Sequence, residues 1–220
     1  MKLNLFAIGI LVTGALFTTH ASAAPTDDVG INLKAGTLGA GVEVSKGFSE
    51  KFSAGLGFNS YNYKTTDTTS GINYNYEFDL QTISLLTNYH PFRGVFRVTA
   101  GVMYNSNELK LTGKPSSGAI YEINGKTYTD TQVGTLSGKL TFNKTAPYFG
   151  LGWGNRPGGK LGISADVGAL YQGAPKLALS ASGNVAGLSA DVEQERKNAE
   201  ADLSNLKWYP VLSLGLYFRF

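Results

Sequence analysis

An all-β fold, an eight-stranded antiparallel up-and-down transmembrane β-barrel of a Gram-negative outer membrane, is predicted by three features. These are an export leader, hydrophobicity that alternates with period two, and a last strand that ends on Phe220. After the leader no apolar run is long enough for a spanning helix. A closed barrel crosses nonetheless, because neighbouring strands satisfy each other's backbone groups and only alternate residues need be apolar. The composition fits: 28 Gly, 12 Tyr and 12 Phe in a chain that is 42% hydrophobic.

The leader is assigned to residues 1–23, with Lys2 as its cationic start, Leu3 to Phe17 as its apolar run and Ala21-Ser22-Ala23 as the cleavage site. That run is shorter than the roughly 20 residues a retained anchor would need, so cleavage is expected. Residues 24–220 then form one barrel domain. The net charge of +3 is scattered, with no basic stripe, so nucleic acid is not an expected partner. With no cysteine there is no disulfide framework, thiolate nucleophile or thiolate metal site.

Strands are expected at 29–36, 38–47, 51–63, 74–89, 95–111, 140–154, 160–179 and 207–220. The last is the clearest: Trp208, Pro210, Leu212, Leu214, Leu216, Phe218 and Phe220 alternate with Tyr209, Val211, Ser213, Gly215, Tyr217 and Arg219. Comparable alternation marks Phe52 to Asn59, Arg97 to Tyr104, Tyr148 to Trp153 and Leu161 to Tyr171. Tyr74-Tyr76-Phe78-Leu80 also alternates, but its phase slips before Ile83-Leu85, which predicts a bulge. Ile31-Leu33-Ala35 and Leu38-Ala40-Val42-Val44 are out of phase across Gly36-Thr37. Either a turn or a bulge would explain this, and the even strand number of a barrel with both ends in the periplasm favours the turn.

Short segments rich in Gly and Pro, 46–50, 90–94 and 155–159, are expected as periplasmic turns. Longer loops, 64–73, 112–139 and 180–206, then face outward, and within the last Ser189 to Leu203 has helix-forming composition with Ser189 as N-cap. Aromatic girdles are expected from Tyr89, Phe92, Trp153, Tyr171 and Trp208 near strand ends. Ser213-x-Gly215-x-x-Phe218-x-Phe220 has the form of the terminal signal read by the barrel-assembly machinery, which is thus an expected partner, with outer-membrane lipid and lipopolysaccharide.

The faces turned from lipid carry Lys34, Glu43, Glu77, Asp79, Arg97, Asp166 and Arg219, with Tyr148, Tyr209 and Tyr217. Two readings follow. An eight-stranded barrel is just wide enough for side chains to fill, so these groups can pair into a closed, ionic core. Alternatively they line a narrow polar path suited to a small zwitterionic solute, for which inward glycines leave room.

Asn124-Gly125-Lys126-Thr127-Tyr128, Ala146-Pro147-Tyr148-Phe149-Gly150-Leu151-Gly152, Tyr171-Gln172-Gly173-Ala174-Pro175-Lys176 and Trp208-Tyr209-Pro210-Val211 together resemble the CarO-type family of outer-membrane proteins, from about residue 35 to the end. The resemblance implies an eight-stranded barrel associated with uptake of ornithine and other basic amino acids and with carbapenem susceptibility. The chain is accordingly expected to be a small-solute channel, against the alternative of a non-conducting barrel with a structural, adhesive or surface-interaction role. No catalysis, cofactor or metal is expected. His20 falls in the leader, His90 in a periplasmic turn, and Gly150-x-Gly152-x-Gly154 lies within a strand and precedes no helix.

Overall fold

A computed structural model describes residues 29–69, 71–154 and 160–220; the expected leader and the expected turn at 155–159 lie outside the described residues. Its strands are β1 (Val29–Gly36), β2 (Gly39–Gly47), β3 (Phe52–Thr69), β4 (Ile72–Tyr89), β5 (Phe96–Asn105), β6 (Glu108–Pro115), β7 (Ile120–Ile123), β8 (Lys126–Thr129), β9 (Leu136–Thr141), β10 (Thr145–Trp153), β11 (Leu161–Tyr171), β12 (Lys176–Ala181) and β13 (Trp208–Arg219). Two helices, α1 (Asp130–Val133) and α2 (Leu188–Leu203), complete the described elements.

Eight antiparallel strands close the barrel in the order β1, β2, β3, β4, β5, β10, β11, β13. Closure comes from β13 returning to β1, with Gly30 opposite Arg219 and Gly36 opposite Ser213. The early phase change is a turn: Gly36 pairs with Gly39 across Thr37 and Leu38. That turn is pinned to the last strand, since Leu212 N donates to Thr37 Oγ1 at 3.1 Å and the Tyr209 hydroxyl donates to Thr37 O at 2.6 Å. Leu38, expected outward with Val42 and Val44, is buried inside the barrel because it belongs to the turn.

The outer surface of this barrel is apolar. Leu33, Leu56, Ile83, Leu85, Phe149, Ile163 and Leu216 are each more than half exposed, the arrangement that lipid favours and water does not. Rings gather at the strand ends, where Phe52 meets Tyr89 at 4.9 Å, Phe96 meets Trp153 at 5.6 Å and Tyr171 meets Trp208 at 4.8 Å between centroids.

Three expectations about the outer half are corrected. β4 contains no bulge: it pairs with β3 in one unbroken register from Phe52 opposite Tyr89 to Thr69 opposite Ile72. The predicted 64–73 loop is therefore the far end of a hairpin of two 18-residue strands, about 60 Å long at roughly 3.3 Å per residue. Three predicted single strands each bend into two, β5 with β6, β9 with β10, and β11 with β12. The outer pieces form an open sheet ordered β12-β9-β6-β4-β3. The phase slip in β4 is an inversion of polarity rather than of geometry. Within the membrane the inward residues are Thr82, Ser84, Leu86 and Asn88, polar but for Leu86, whereas above it the same face carries Ile72, Tyr74, Tyr76 and Phe78.

That inverted sheet is capped as a soluble sheet would be. Ile72 packs with Tyr121 and Tyr128 of the β7–β8 hairpin, Val133 of α1, and Leu188 and Val192 of α2. α2 begins at Leu188, not after a Ser189 cap; Gly187 holds the cap position in the left-handed region at φ +88°.

Candidate functional site

The interior of the membrane span is layered. Outermost is an apolar layer of Leu38, Leu86, Met103, Ala146, Leu170 and Val211, with the Tyr148 and Tyr209 rings beside it. Leu38 was expected outward, and Leu86 and Leu170, not assigned from the sequence, lie on inner faces that are otherwise polar or glycine-rich. Beneath this lies a charged layer. Lys34 Nζ stands 2.6 Å from Glu43 Oε2 and 3.6 Å from Asp166 Oδ2, Arg97 pairs with the other oxygen of Asp166, and Ser213 Oγ donates to Asp166 at 3.3 Å. Arg97 also donates to Gly154 O at 2.7 Å. Two cations and two carboxylates thus close a neutral chain across the waist, and all four side chains are largely buried. Burial of charge at this depth is tolerable only because each group is paired and hydrogen-bonded.

The third layer, toward the end where β1 begins and β13 finishes, is uncharged and polar at its centre. Asn32 Nδ2 donates to Ser164 Oγ at 3.0 Å and Thr99 Oγ1 to Asn88 Oδ1 at 2.7 Å. Arg219 and His90 are buried at its edge, with His90 Nδ1 3.1 Å from Gly94 O.

Inward glycines take their meaning from these side chains. A Cβ at Gly168 would meet the Tyr148 hydroxyl at 2.5 Å, one at Gly152 the Arg97 Cζ at 2.6 Å, and one at Gly162 the Tyr217 hydroxyl at 2.5 Å. The room they leave is occupied by rings and guanidinium. What stays open is a cavity of about 40 Å³ bordered by Lys34, Glu43, Arg97, Tyr148, Asp166 and Ser213. A water needs roughly 10–15 Å³ by the same measure, so this volume suits a few waters.

Of the ten residues proposed for the lumen, the structure brings Lys34, Glu43, Arg97, Asp166 and Tyr148 together. Tyr209 sits above them on Thr37, while Tyr217 and Arg219 lie nearer the end where β1 begins. Glu77 and Asp79 are elsewhere. Unbroken pairing of β4 puts them on the face continuous with Ile83 and Leu85, outside the barrel and above the apolar belt. Of the terminal motif, Ser213 and Gly215 turn inward. A Cβ at Gly215 would meet Asn32 Oδ1 at 2.5 Å, while Phe218 and Phe220 turn outward with centroids 5.0 Å apart.

At the outer end, Asp191 of α2 is a hub. Asn124 Nδ2 donates to it at 3.0 Å, Lys126 Nζ at 2.9 Å, and Tyr128 makes a short hydroxyl contact; Glu195 accepts from Asn124 N at 3.0 Å. The Tyr128 hydroxyl, with Asn124 and Lys126, holds the Asp191 carboxyl down at about 2.

A closed eight-strand barrel with an apolar belt and a paired, charged interior is a small outer-membrane barrel protein. Its fold is that of CarO of Acinetobacter baumannii. The crystal structure of CarO2 from that organism is similar with a TM-score of 0.61 and 25% identity over 90% of this chain and 100% of that one. The CarO crystal structure gives a TM-score of 0.58 and 24% identity over 87% and 97%. No family model and no curated protein matches the chain.

Proposed function

We propose that this barrel is a narrow channel for small zwitterionic or basic solutes, held shut at its waist by ion pairs that a solute can replace. The observation that carries this reading is the waist itself. Lys34, Glu43, Arg97 and Asp166 enclose a water-sized cavity, an arrangement in which a solute ammonium and carboxylate would find a partner of each sign. The CarO likeness supports it, through the amino-acid uptake that the sequence resemblance implies.

Single-channel recording of the refolded barrel in a planar bilayer, with ornithine or arginine present, tests this. Brief openings of low conductance are expected, and Asp166→Asn should shift the reversal potential toward anion selectivity by leaving Arg97 and Lys34 in excess. Silence from folded wild type and variant alike would remove the channel reading. A second reading, a permanently closed barrel that works through its outer surface, is favoured by the way Tyr148 and Tyr217 fill the space over glycines.

A further inference from the structure

We propose that the outward face of β3, β4, β6 and β9, just above the apolar belt, binds the phosphorylated sugar headgroup of lipopolysaccharide through Lys64, Lys110 and Lys139. The first argument is height. On this side the last outward apolar residues are Phe58, Ile83 and Tyr104, and Lys64 and Glu77 lie six residues further along their strands. At about 3.3 Å per residue and a tilt of about 40° they stand about 15 Å above that rim, in the headgroup layer rather than among acyl chains.

Shape and chemistry agree with the height. The face holds a depression with room for about 630 Å³, bordered by Lys64, Thr66, Asn75, Glu77, Lys110 and Thr112. Hydroxyls and an amide there suit sugar hydroxyl groups, and the ammonium groups suit phosphate. The lysines are the outer members of their ion pairs. Lys64 is 67% exposed against 30% for Glu77 at 3.0 Å, and Lys110 and Lys139 are 40% and 47% exposed against 18% for the Glu108 they share. Such exposed pairs hold their geometry weakly, so a multiply charged phosphate can recruit the ammonium groups. The opposite wall lacks this face: β1 and β2 turn at Thr37 and β13 begins at Trp208, level with the apolar rim.

The test uses refolded protein in neutral detergent, titrated with purified lipopolysaccharide and with the same lipopolysaccharide after phosphate removal, at two salt concentrations. Replacing Lys64, Lys110 and Lys139 together by Gln should weaken binding by about tenfold or more and flatten its salt dependence, while Arg at the three positions preserves both. The single Lys64→Gln, at the most exposed site, should weaken binding about threefold, so the result does not hang on how the triple variant folds. Gln at the periplasmic Lys46, Lys51 and Lys160 should leave binding unchanged. Wild-type affinity in the outer triple variant, or equal affinity for the dephosphorylated glycolipid, would overturn the assignment.

Discussion

At the scale of single residues, inward glycines set what the barrel can hold. Gly168→Ala would drive a methyl to 2.7 Å from Phe149 O and 2.5 Å from the Tyr148 hydroxyl, and one of those contacts is backbone. It should destabilise the folded barrel by about 1–3 kcal/mol, read as an earlier urea midpoint in refolding titrations. Gly138→Ala, whose nearest neighbours are Leu179 Cδ1 at 3.6 Å and Leu111 Cβ at 3.7 Å, should be nearly silent in the same assay. Sequence reading placed Gly150, Gly152 and Gly168 on the inner face and read them as room for a solute. Which ring or guanidinium lies over a glycine depends on cross-strand register, and alternation alone does not supply the register. Lys34, Glu43, Arg97 and Asp166 were legible as inward groups, because each interrupts an otherwise neutral face of a clearly alternating strand.

At the scale of elements, α2 docks through buried Leu188 and Val192, through Glu200, which accepts from Leu177 N at 2.8 Å, and through Asp191 at the 124–128 hairpin. Asp191 is charged at neutral pH and its proton affinity is lowered by the groups that bind it, so the folded cap holds fewer protons than the released one. The Asp191 share of that docking is fully present above the ordinary carboxylate range near pH 4 and should be lost progressively as pH falls toward 2. Asp191→Asn should mimic that loss at neutral pH, seen as faster amide exchange in α2 and the 124–126 turn with the barrel strands unchanged. The helix was visible in the sequence through its composition, with its cap placed two residues late, and the strand expected at 74–89 matches nearly all of β4, whereas 51–63 reaches only the lower two-thirds of β3. The upper part of β4 was given the wrong face because period two was sought with a fixed sense, and residues 64–69 of β3 were taken as loop. Above the membrane the solvent is water, so the apolar residues of β4 move to the face that is polar below.

For the whole molecule, that reversal divides the protein into a part whose outside is apolar and a part whose outside is charged. Position along one strand should therefore decide the effect of a single chemistry. Leu85→Lys, within the lipid-facing belt, should cost about 2–4 kcal/mol in refolding titrations into bilayers, whereas Asp79→Lys, outward on the same strand above the belt, should cost little. The barrel and its eight strands were legible from the sequence, because they follow from alternation and from the even strand count of an up-and-down barrel. The open outer sheet was not legible, since nothing in the alternation says which strands bend away from their neighbours.

The pairing of β13 with β1 joins the two ends of the ring, Gly30 against Arg219 and Lys34 against Gly215. It is a clasp: without β13, β1 and β11 would each present an unpaired side. The same clasp brings Ser213 to Asp166 and Leu212 to Thr37, so fastening the ring also locks the waist and the turn above it. Closure of the ring and closure of the interior are in this sense one event, completed by β13.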